Sequence, residues 1–285
     1  MSLRSLFSAV LLAFASLAQA ADLQLQVYNP GEDAVFAVSS TLISGEREAL
    51  LVDAQFSSKE AAELVKRVEA SGKRLTTIYI SHGDPDFYFG LQTLKRAFPE
   101  ARVVATAATV EHIRATQAAK LAYWGPILGA SAPTGIIIPE PLAGDRLSLE
   151  GHELQVIGLD PLRTALWIPS RKAVVGGVLV EAGEHVWTAD TQTIEARRTW
   201  LATLDRIEAL RPDVVVPGHY LGDAAHDLGA LRFTRDYLIA LEAELPEARD
   251  AAALVDAMRR RYPGLPGEAG LELSAKVLKG EMPWP

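Results

Sequence analysis

The order of predicted strands and helices is the feature that most narrowly limits the fold of this chain. Strands are predicted at 23–54, where alternating and β-branched apolar residues are separated by turn residues. Helices and strands then alternate to about 122. The glycines and prolines of YWGPILGASAPTG, 123–135, predict a loop that fits a flexible cover over a pocket, and a second group of strands follows at 135–180. A long helix, one more strand and two C-terminal helices, at 228–243 and 251–262, complete the pattern. This order predicts an α/β protein, a four-layer αββα sandwich, although periodicity alone also allows an ordinary α/β sheet.

The N-terminus has the pattern of a secretory signal sequence. In MSLRSLFSAVLLAFASLAQA, Arg4 precedes an apolar run at 6–17, and the small residues at 18–20 are typical of a cleavage site. The apolar run is too short for a bilayer anchor, which favours a cleaved signal sequence. The alternative interpretation is an uncleaved anchor or a buried N-terminal helix. We therefore expect a periplasmic or secreted protein, with 21–285 forming one soluble domain outside the membrane.

Composition excludes several kinds of chemistry. The chain has no cysteine, so thiolate ligands and thiol nucleophiles are excluded, and any metal must be held by nitrogen and oxygen donors. It carries 36 acidic against 28 basic residues without a Lys/Arg-rich run, so we expect no nucleic-acid partner. The expected partner is a small-molecule substrate.

The loop in YISHGDPDFYFG has the residue types of a metal site. His82, Asp84 and Asp86 follow a buried strand at alternate positions, and in an extended loop their side chains converge on one side. The end of a strand is also where open α/β sheets present functional groups. The alternative is a polar turn in which the two aspartates cap the following helix. These residues alone leave both interpretations open.

Other candidate residues also lie at strand ends. His219 follows a buried strand in VVVPGHY, and Asp53 ends the strand of LLVDAQF, where a buried carboxylate needs partners. His185, in GEHVWTADTQT, is a weaker candidate for a ligand. We expect the three other histidines to be solvated: His112, His152 and His226.

The order of Asp53, SHGDPDFYFG, GLDPLRTALWIP, AVVGGVLV and VVVPGHY resembles the metallo-β-lactamase-fold superfamily of hydrolases. That superfamily has a strand-end aspartate, a His-x-His-x-Asp-His loop, a Gly-His-Thr turn, a bridging aspartate after glycine and a late Pro-Gly-His. The resemblance covers nearly the whole chain after residue 20 and implies the αββα sandwich. The runs YWGP, HVWTADTQT and PGHYLGD are similar to a group of exported bacterial members.

By this resemblance, His82, Asp86 and His219 stand at ligand positions of the superfamily. Asp84 replaces the second histidine of the loop and keeps a donor, whereas Phe87 replaces the third and offers none.

Two further ligand positions are also changed. Leu159 replaces the histidine of the Gly-His-Thr turn, with Asp160 next to it, and Gly177 replaces the bridging aspartate. The resemblance therefore implies that the usual pair of zinc ions does not form.

The remaining donors imply one divalent ion, with zinc favoured and manganese or iron acceptable to an oxygen-rich site. These donors are His82, Asp84, Asp86, His219 and Asp160. The implied function is hydrolysis of a small ester, lactone, amide or phosphoester by a metal-activated water, with Asp86 or Asp84 as the base.

The alternative is a metal-free protein that binds a ligand in the same cleft. His–Asp pairs stabilise such a site without an ion. Six aromatic residues are candidates to line the cleft, although core packing also explains at least half of them: Phe87, Tyr88, Phe89, Tyr123, Trp124 and Trp187.

Overall fold

The computed structural model describes residues 22–284. The predicted signal sequence lies outside the described residues and stays a prediction. Within 22–284, no helix is both long and apolar enough to cross a bilayer.

The first sheet has six strands in sequential order. They are β1 (Gln24–Tyr28), β2 (Ser40–Ser44), β3 (Glu48–Val52), β4 (Arg74–Ile80), β5 (Arg102–Ala105) and β6 (Glu140–Pro141). The pairs β1–β2 and β2–β3 are antiparallel, and β3 to β6 are parallel. The carboxyl ends of β3 and β4 therefore lie at the same edge of the sheet, which is where Asp53 and His82 follow.

The second sheet has five strands in the order β12-β10-β9-β8-β7. They are β7 (Arg146–Leu149), β8 (His152–Asp160), β9 (Arg163–Ile168), β10 (Ala173–Val175) and β12 (Val214–Val215). A separate short parallel pair joins β11 (Glu181–Ala182) to β13 (His219–Tyr220), so His219 lies opposite Glu181.

The helices connect and cover the sheets. They are α1 (Ser58–Ser71), α2 (Pro85–Tyr88), α3 (Leu91–Ala97), α4 (Ala107–Leu128), α5 (Ile194–Ala209), α6 (Leu228–Glu244), α7 (Ala251–Arg261) and α8 (Glu268–Leu278). The caps follow the sequence: Ser57 accepts the N–H of Lys59 at the start of α1, and Gly72 ends that helix with a positive φ of 65°.

Three apolar clusters establish the layers. Between the sheets, Leu50 and Val52 of the first pack with Leu166 and Val175 of the second. The outer face of the first sheet packs on α1, α3 and α4. The outer face of the second packs on α5 to α8. The four-layer αββα prediction is therefore confirmed.

Several local predictions were wrong. The region from 123, predicted as a loop, continues α4 to Leu128, because Trp124 packs on Phe36 and Phe56 and holds this turn in place. Residues 135–139, predicted as a strand, are irregular, and the short strand that pairs with β5 is Glu140–Pro141. The helix α8 was not predicted at all.

The loop after β4 is also not extended as predicted. Pro85 occupies the first turn of α2, where its fixed φ suits a helix, so Asp86 is helical rather than extended. Alternation therefore ends at Asp84, and Asp86 does not continue the row that His82 and Asp84 begin.

Candidate functional site

The site lies at the edge where β3 and β4 end. Asp53 accepts the N–H of Ser81 at 2.8 Å and its hydroxyl at 2.6 Å, and the Ser81 oxygen accepts the N–H of Gly177 at 2.7 Å. Asp53 is fully buried, and burial raises its pKa to about 7, although the bonds to Ser81 oppose this. Ser81 thus connects Asp53, at the end of β3, with Gly177, which follows β10 of the second sheet.

His82 and Asp84 form the first half of the site with a lysine from α4. The Nδ1 atom of His82 accepts the N–H of Asp84 at 3.2 Å and lies 3.4 Å from its carboxylate. Lys120 forms an ion pair with the other oxygen of Asp84 and donates to the carbonyl of Gly83 at 3.2 Å. Asp84 therefore already has a cation from the protein itself.

The protonation of this half follows from its partners. Burial lowers the pKa of His82 to about 3, with Arg163 and Lys120 adding to the effect and Asp84 opposing it. Partial burial alone would raise the pKa of Asp84, but His82 and Lys120 outweigh it and hold the pKa at about 2. Near neutral pH the imidazole is neutral and the carboxylate is charged.

The helix α4 brings Lys120 to the loop. His112 and Lys120 lie two turns apart on one face, with their side-chain nitrogens 3.3 Å apart. A Cβ added to Gly83 would lie 2.5 Å from the His112 ring, so the glycine permits this close contact. His112 is thus only partly solvated, because its ring lies against the loop.

Asp86 and His219 form the second half. The Nε2 atom of His219 lies 3.0 Å from an oxygen of Asp86. Burial alone would lower the pKa of His219, but the hydrogen bond and charge of Asp86, with Glu181 and Glu184, raise it to about 9. At neutral pH His219 is therefore a cation, and it lies beside the carboxyl group of Asp86.

Phe87 separates the two halves. Its ring is fully buried and lies edge-on to both histidines, with centroids 5.3 Å from His82 and 5.5 Å from His219. An apolar ring therefore lies beside a histidine of each His–Asp pair.

Asp160 is not brought to either pair. Its carboxylate accepts the N–H of Leu162 at 2.9 Å in the turn between β8 and β9. Gly177, at the position of the bridging aspartate, has a positive φ of 76°, and a Cβ there would lie 1.8 Å from the carbonyl oxygen of Thr164. The backbone at this point leaves no room for a side chain.

Arg163 is a functional candidate that the sequence pattern does not indicate. Its side chain is 6% exposed, and its guanidinium lies 4.0 Å above the Trp200 ring and donates to the carbonyl of Val178 at 3.1 Å. The Nε atom of Arg163 is buried without a hydrogen-bond partner in residues 22–284.

The remaining candidates lie away from the two pairs. His185 is buried and contacts the Tyr237 hydroxyl at 3.0 Å. Trp187 donates its indole N–H to Asp190, as does Trp284.

The candidate lining residues divide by exposure. Phe87, Tyr88 and Phe89 are at most 2% exposed and pack in the core. Trp124 packs on Phe36 and Phe56, whereas Tyr123 is 65% exposed.

The donors present do not fit a metal ion. Each half keeps two donors, and each pair is already engaged: Asp84 with Lys120, and Asp86 with His219. No group of three or more histidines and carboxylates suited to an ion is found in the described part of the chain. Catalytic zinc sites usually have three protein ligands, a number that neither half reaches.

Lys120 and Arg163 were missed because their partners are distant in sequence. Lys120 lies 36 residues after Asp84, on a helix whose other residues gave no sign of a site. The only available signal was the spacing of His112, Lys120 and Trp124 at helical periodicity, which brings them to one face.

Comparisons with known proteins agree with the fold. A family model described as the metallo-beta-lactamase superfamily matches residues 33–219. No protein of curated function matches the sequence.

Three solved structures are similar in fold. A beta-lactamase domain protein from Burkholderia ambifaria is 18% identical with a TM-score of 0.62, covering 90% of this chain and 84% of that one. A metallo-beta-lactamase from Pontibacter korlensis is 20% identical with a TM-score of 0.56, covering 76% and 95%. The DIM-1 metallo-beta-lactamase is 17% identical with a TM-score of 0.52, covering 78% and 99%. Since the family model spans well over half of its length, the chain belongs to the metallo-beta-lactamase superfamily.

Proposed function

We propose that this protein binds a small-molecule ligand at the edge of its two sheets without a metal ion. Membership of the superfamily supports a function of the metallo-hydrolase type, but the donor set of this chain has changed. The observation that carries the proposal is that each carboxylate of the loop already has a protein cation, Lys120 for Asp84 and His219 for Asp86.

The energetics favour these pairs over a weakly held ion. A divalent ion at Asp84 must displace the ammonium of Lys120, and one at Asp86 must take the place of the proton on His219. A metal with only two protein ligands at each half gains less than it would in a complete site. The buried ring of Phe87 adds no donor between them.

A second candidate is the hydrolase with one divalent ion, zinc, manganese or iron, with Asp86 or Asp84 as the base. One observation favours this candidate. Both histidines lie beside the ring of Phe87, and each is paired with an aspartate, His82 with Asp84 and His219 with Asp86. This arrangement requires Lys120 to leave Asp84.

Elemental analysis of the protein purified from the periplasm separates the two candidates. The control is the His82→Ala, Asp86→Ala double variant, which removes one donor from each half. The proposal predicts no stoichiometric zinc, manganese or iron in either protein, even after incubation with excess ions and removal of the unbound metal. One tightly held ion in the wild type that is lost in the variant would support the hydrolase and justify an ester and phosphoester screen.

A further inference from the structure

Trp187 and Trp284 form an aromatic pair outside the core. Both residues are half-buried, and neither indole belongs to the three apolar clusters found within residues 22–284. Their ring centroids lie 5.4 Å apart and their planes meet at 70°, so the rings stand as two walls of a corner. Core packing therefore does not account for these two tryptophans.

Asp190 lies where the N–H edges of both rings meet. Its Oδ2 atom accepts the indole N–H of Trp187 and its Oδ1 atom accepts that of Trp284, each at 2.7 Å. Both donors are neutral, so they orient the carboxylate without neutralising its charge. The three residues, named here the indole corner, thus combine two ring faces with one anionic group.

The Trp187 wall is fixed next to the second half of the site. Its backbone N–H donates to the carboxylate of Glu181 at 2.9 Å, and Glu181 pairs with His219 between β11 and β13. On the other side, a Cβ added to Gly270 of α8 would lie 3.7 Å from the Trp187 ring. The corner therefore adjoins the site but uses none of the side chains of its two His–Asp pairs.

The Trp284 wall is supplied by the tail after α8, beyond the region that the family model matches. The side-chain amide of Gln192 donates to the carbonyl of Trp284 at 3.1 Å. Three residues before Trp284, the carboxylate of Glu281 accepts the N–H of Ala251, the first residue of α7, at 2.7 Å. These bonds hold the tail at both ends, so the second ring stands at a defined place.

The charges around the corner favour a cation. Asp190 is accessible to solvent, yet enough of the protein surrounds its carboxylate to raise its pKa above the ordinary value. The negative charge of Asp84 also raises this pKa, and the opposing effects of Arg163 and the two indole bonds are smaller. A cation bound beside Asp190 therefore stabilises its ionised form.

We propose that the indole corner binds a small organic ammonium ion with an alkylated nitrogen, held on the faces of Trp187 and Trp284 beside Asp190. Ring faces attract cations, tryptophan most strongly, and aromatic cages recognise quaternary ammonium groups. An alkylated nitrogen also needs few hydrogen-bond acceptors, and each oxygen of Asp190 already accepts one bond. This site goes beyond the proposed function and does not rest on it.

Isothermal titration with choline and its neutral isostere dimethylbutanol tests the proposal, because the two molecules share a shape and only choline is charged. Choline is expected to bind, and dimethylbutanol to bind roughly tenfold or more weakly, since the ring faces attract a cation. Equal binding of the two, or no binding of choline at millimolar concentrations, would overturn the proposal. Displacement of choline by an equal concentration of potassium would also overturn it, because the corner would then be only an acidic patch.

Two variants remove the two parts of the corner separately. Trp284→Leu removes one wall and should fold, because this side chain lies outside the apolar clusters of the described residues. Asp190→Asn keeps the size of the side chain and removes its charge. Each should bind choline roughly tenfold more weakly, and Asp190→Asn should bind dimethylbutanol as the wild type does. The control is Asp256→Asn, which removes an exposed carboxylate from α7 and should leave choline binding unchanged.

Circular dichroism shows whether each variant is folded, and Asp190→Asn decides the question if Trp284→Leu is unstable. Unchanged choline binding in the folded variants would contradict the proposal. The His82→Ala, Asp86→Ala double variant should bind choline as the wild type does. Loss of choline binding there, with binding kept in Asp190→Asn, would assign the cation to the two His–Asp pairs and overturn the indole corner as its site.

Discussion

At the residue scale, the buried carboxyl of Asp53 links stability to pH. Its pKa is raised from its ordinary value of 3.8 to about 7 by burial, whereas the unfolded chain loses this proton near pH 4. Between these values the folded protein binds more protons than the unfolded chain, so the free energy of unfolding falls as pH rises from about 4 to about 7. Glu181, whose pKa burial also raises to about 7, acts in the same direction.

The variant Asp53→Asn should therefore flatten this fall. The variant keeps an acceptor for the N–H of Ser81 and has no titrating proton. Its free energy of unfolding should therefore lack the fall, on the order of 2–4 kcal/mol, that Asp53 causes between pH 4 and pH 7. Urea unfolding across this range measures it, with the exposed Asp256→Asn on α7 as control. A slope equal to that of the wild type would show that Asp53 is already ionised in the folded protein.

Gly177 is a residue whose role is steric. Gly177→Ala should lower the free energy of unfolding by roughly 3 kcal/mol or more, since it combines a positive φ with a clash against the Thr164 carbonyl. Gly72→Ala is the matched control, because its φ of 65° is similar and nothing lies within 4 Å of its added Cβ. Its cost should be about 1 kcal/mol. Equal costs in chemical denaturation would mean that the close contact at Gly177 relaxes freely.

Much of the site at this scale followed from the sequence. The strand-end positions of Asp53, His82 and His219 were predicted from buried runs followed by polar residues. Asp53 and His82 follow β3 and β4 in the structure, whereas His219 begins the short strand β13. The predicted alternation of His82, Asp84 and Asp86 along an extended loop was wrong, because Pro85 starts a helical turn between the two aspartates. Arg163 could not be identified from the sequence, because the Trp200 ring on which its guanidinium stacks lies 37 residues further along the chain.

At the element scale, α4 supplies the side chains that contact the loop after β4. Its N-terminal half places His112 over Gly83, its middle places Lys120 on Asp84, and its last turns place Trp124 on Phe36. The sequence suggested a mobile cover from residue 123 because of its glycines and Pro126. Burial of the indole against two phenyl rings explains why the helix continues instead.

Trp124→Ala should loosen this end of α4. It removes the contacts with Phe36 and Phe56, so we expect a loss of roughly 2 kcal/mol and faster amide hydrogen exchange at 34–38. Tyr123→Ala is the control, since that ring is 65% exposed and its loss should change stability by less than about 0.5 kcal/mol. Similar effects from the two variants would show that α4 is not anchored by the indole.

At the scale of the whole molecule, the C-terminal helices belong to the sandwich rather than following it. The family model ends at residue 219, yet α6 to α8 cover the second sheet. Leu238 and Met258 are fully buried in the cluster that also contains Trp167 and Trp200. The fourth layer is thus built largely from residues beyond the matched region.

A chain that ends at residue 227 should therefore not yield a soluble folded protein, because the outer face of the second sheet is left uncovered. A chain that ends at residue 280 keeps α6 to α8 and loses only the tail, including the bond from Trp284 to Asp190, so it should fold. Soluble yield and circular dichroism measure both. A cooperatively folded chain ending at residue 227 would show that the fourth layer is dispensable.

We propose that Lys120 and His219 supply, at Asp84 and Asp86, the positive charge that metal ions supply in a complete site. Calorimetric titration of the EDTA-treated protein with zinc, beside Lys120→Met, tests it most directly, since the variant removes the ammonium from Asp84. Complete structural zinc sites bind with about 10–16 kcal/mol, or dissociation constants of roughly 10⁻⁸ M and below. We expect the wild type to bind zinc at least about a thousandfold more weakly than this, and Lys120→Met to bind zinc more tightly than the wild type. Tight, stoichiometric zinc binding by the wild type, unchanged in the variant, would contradict it.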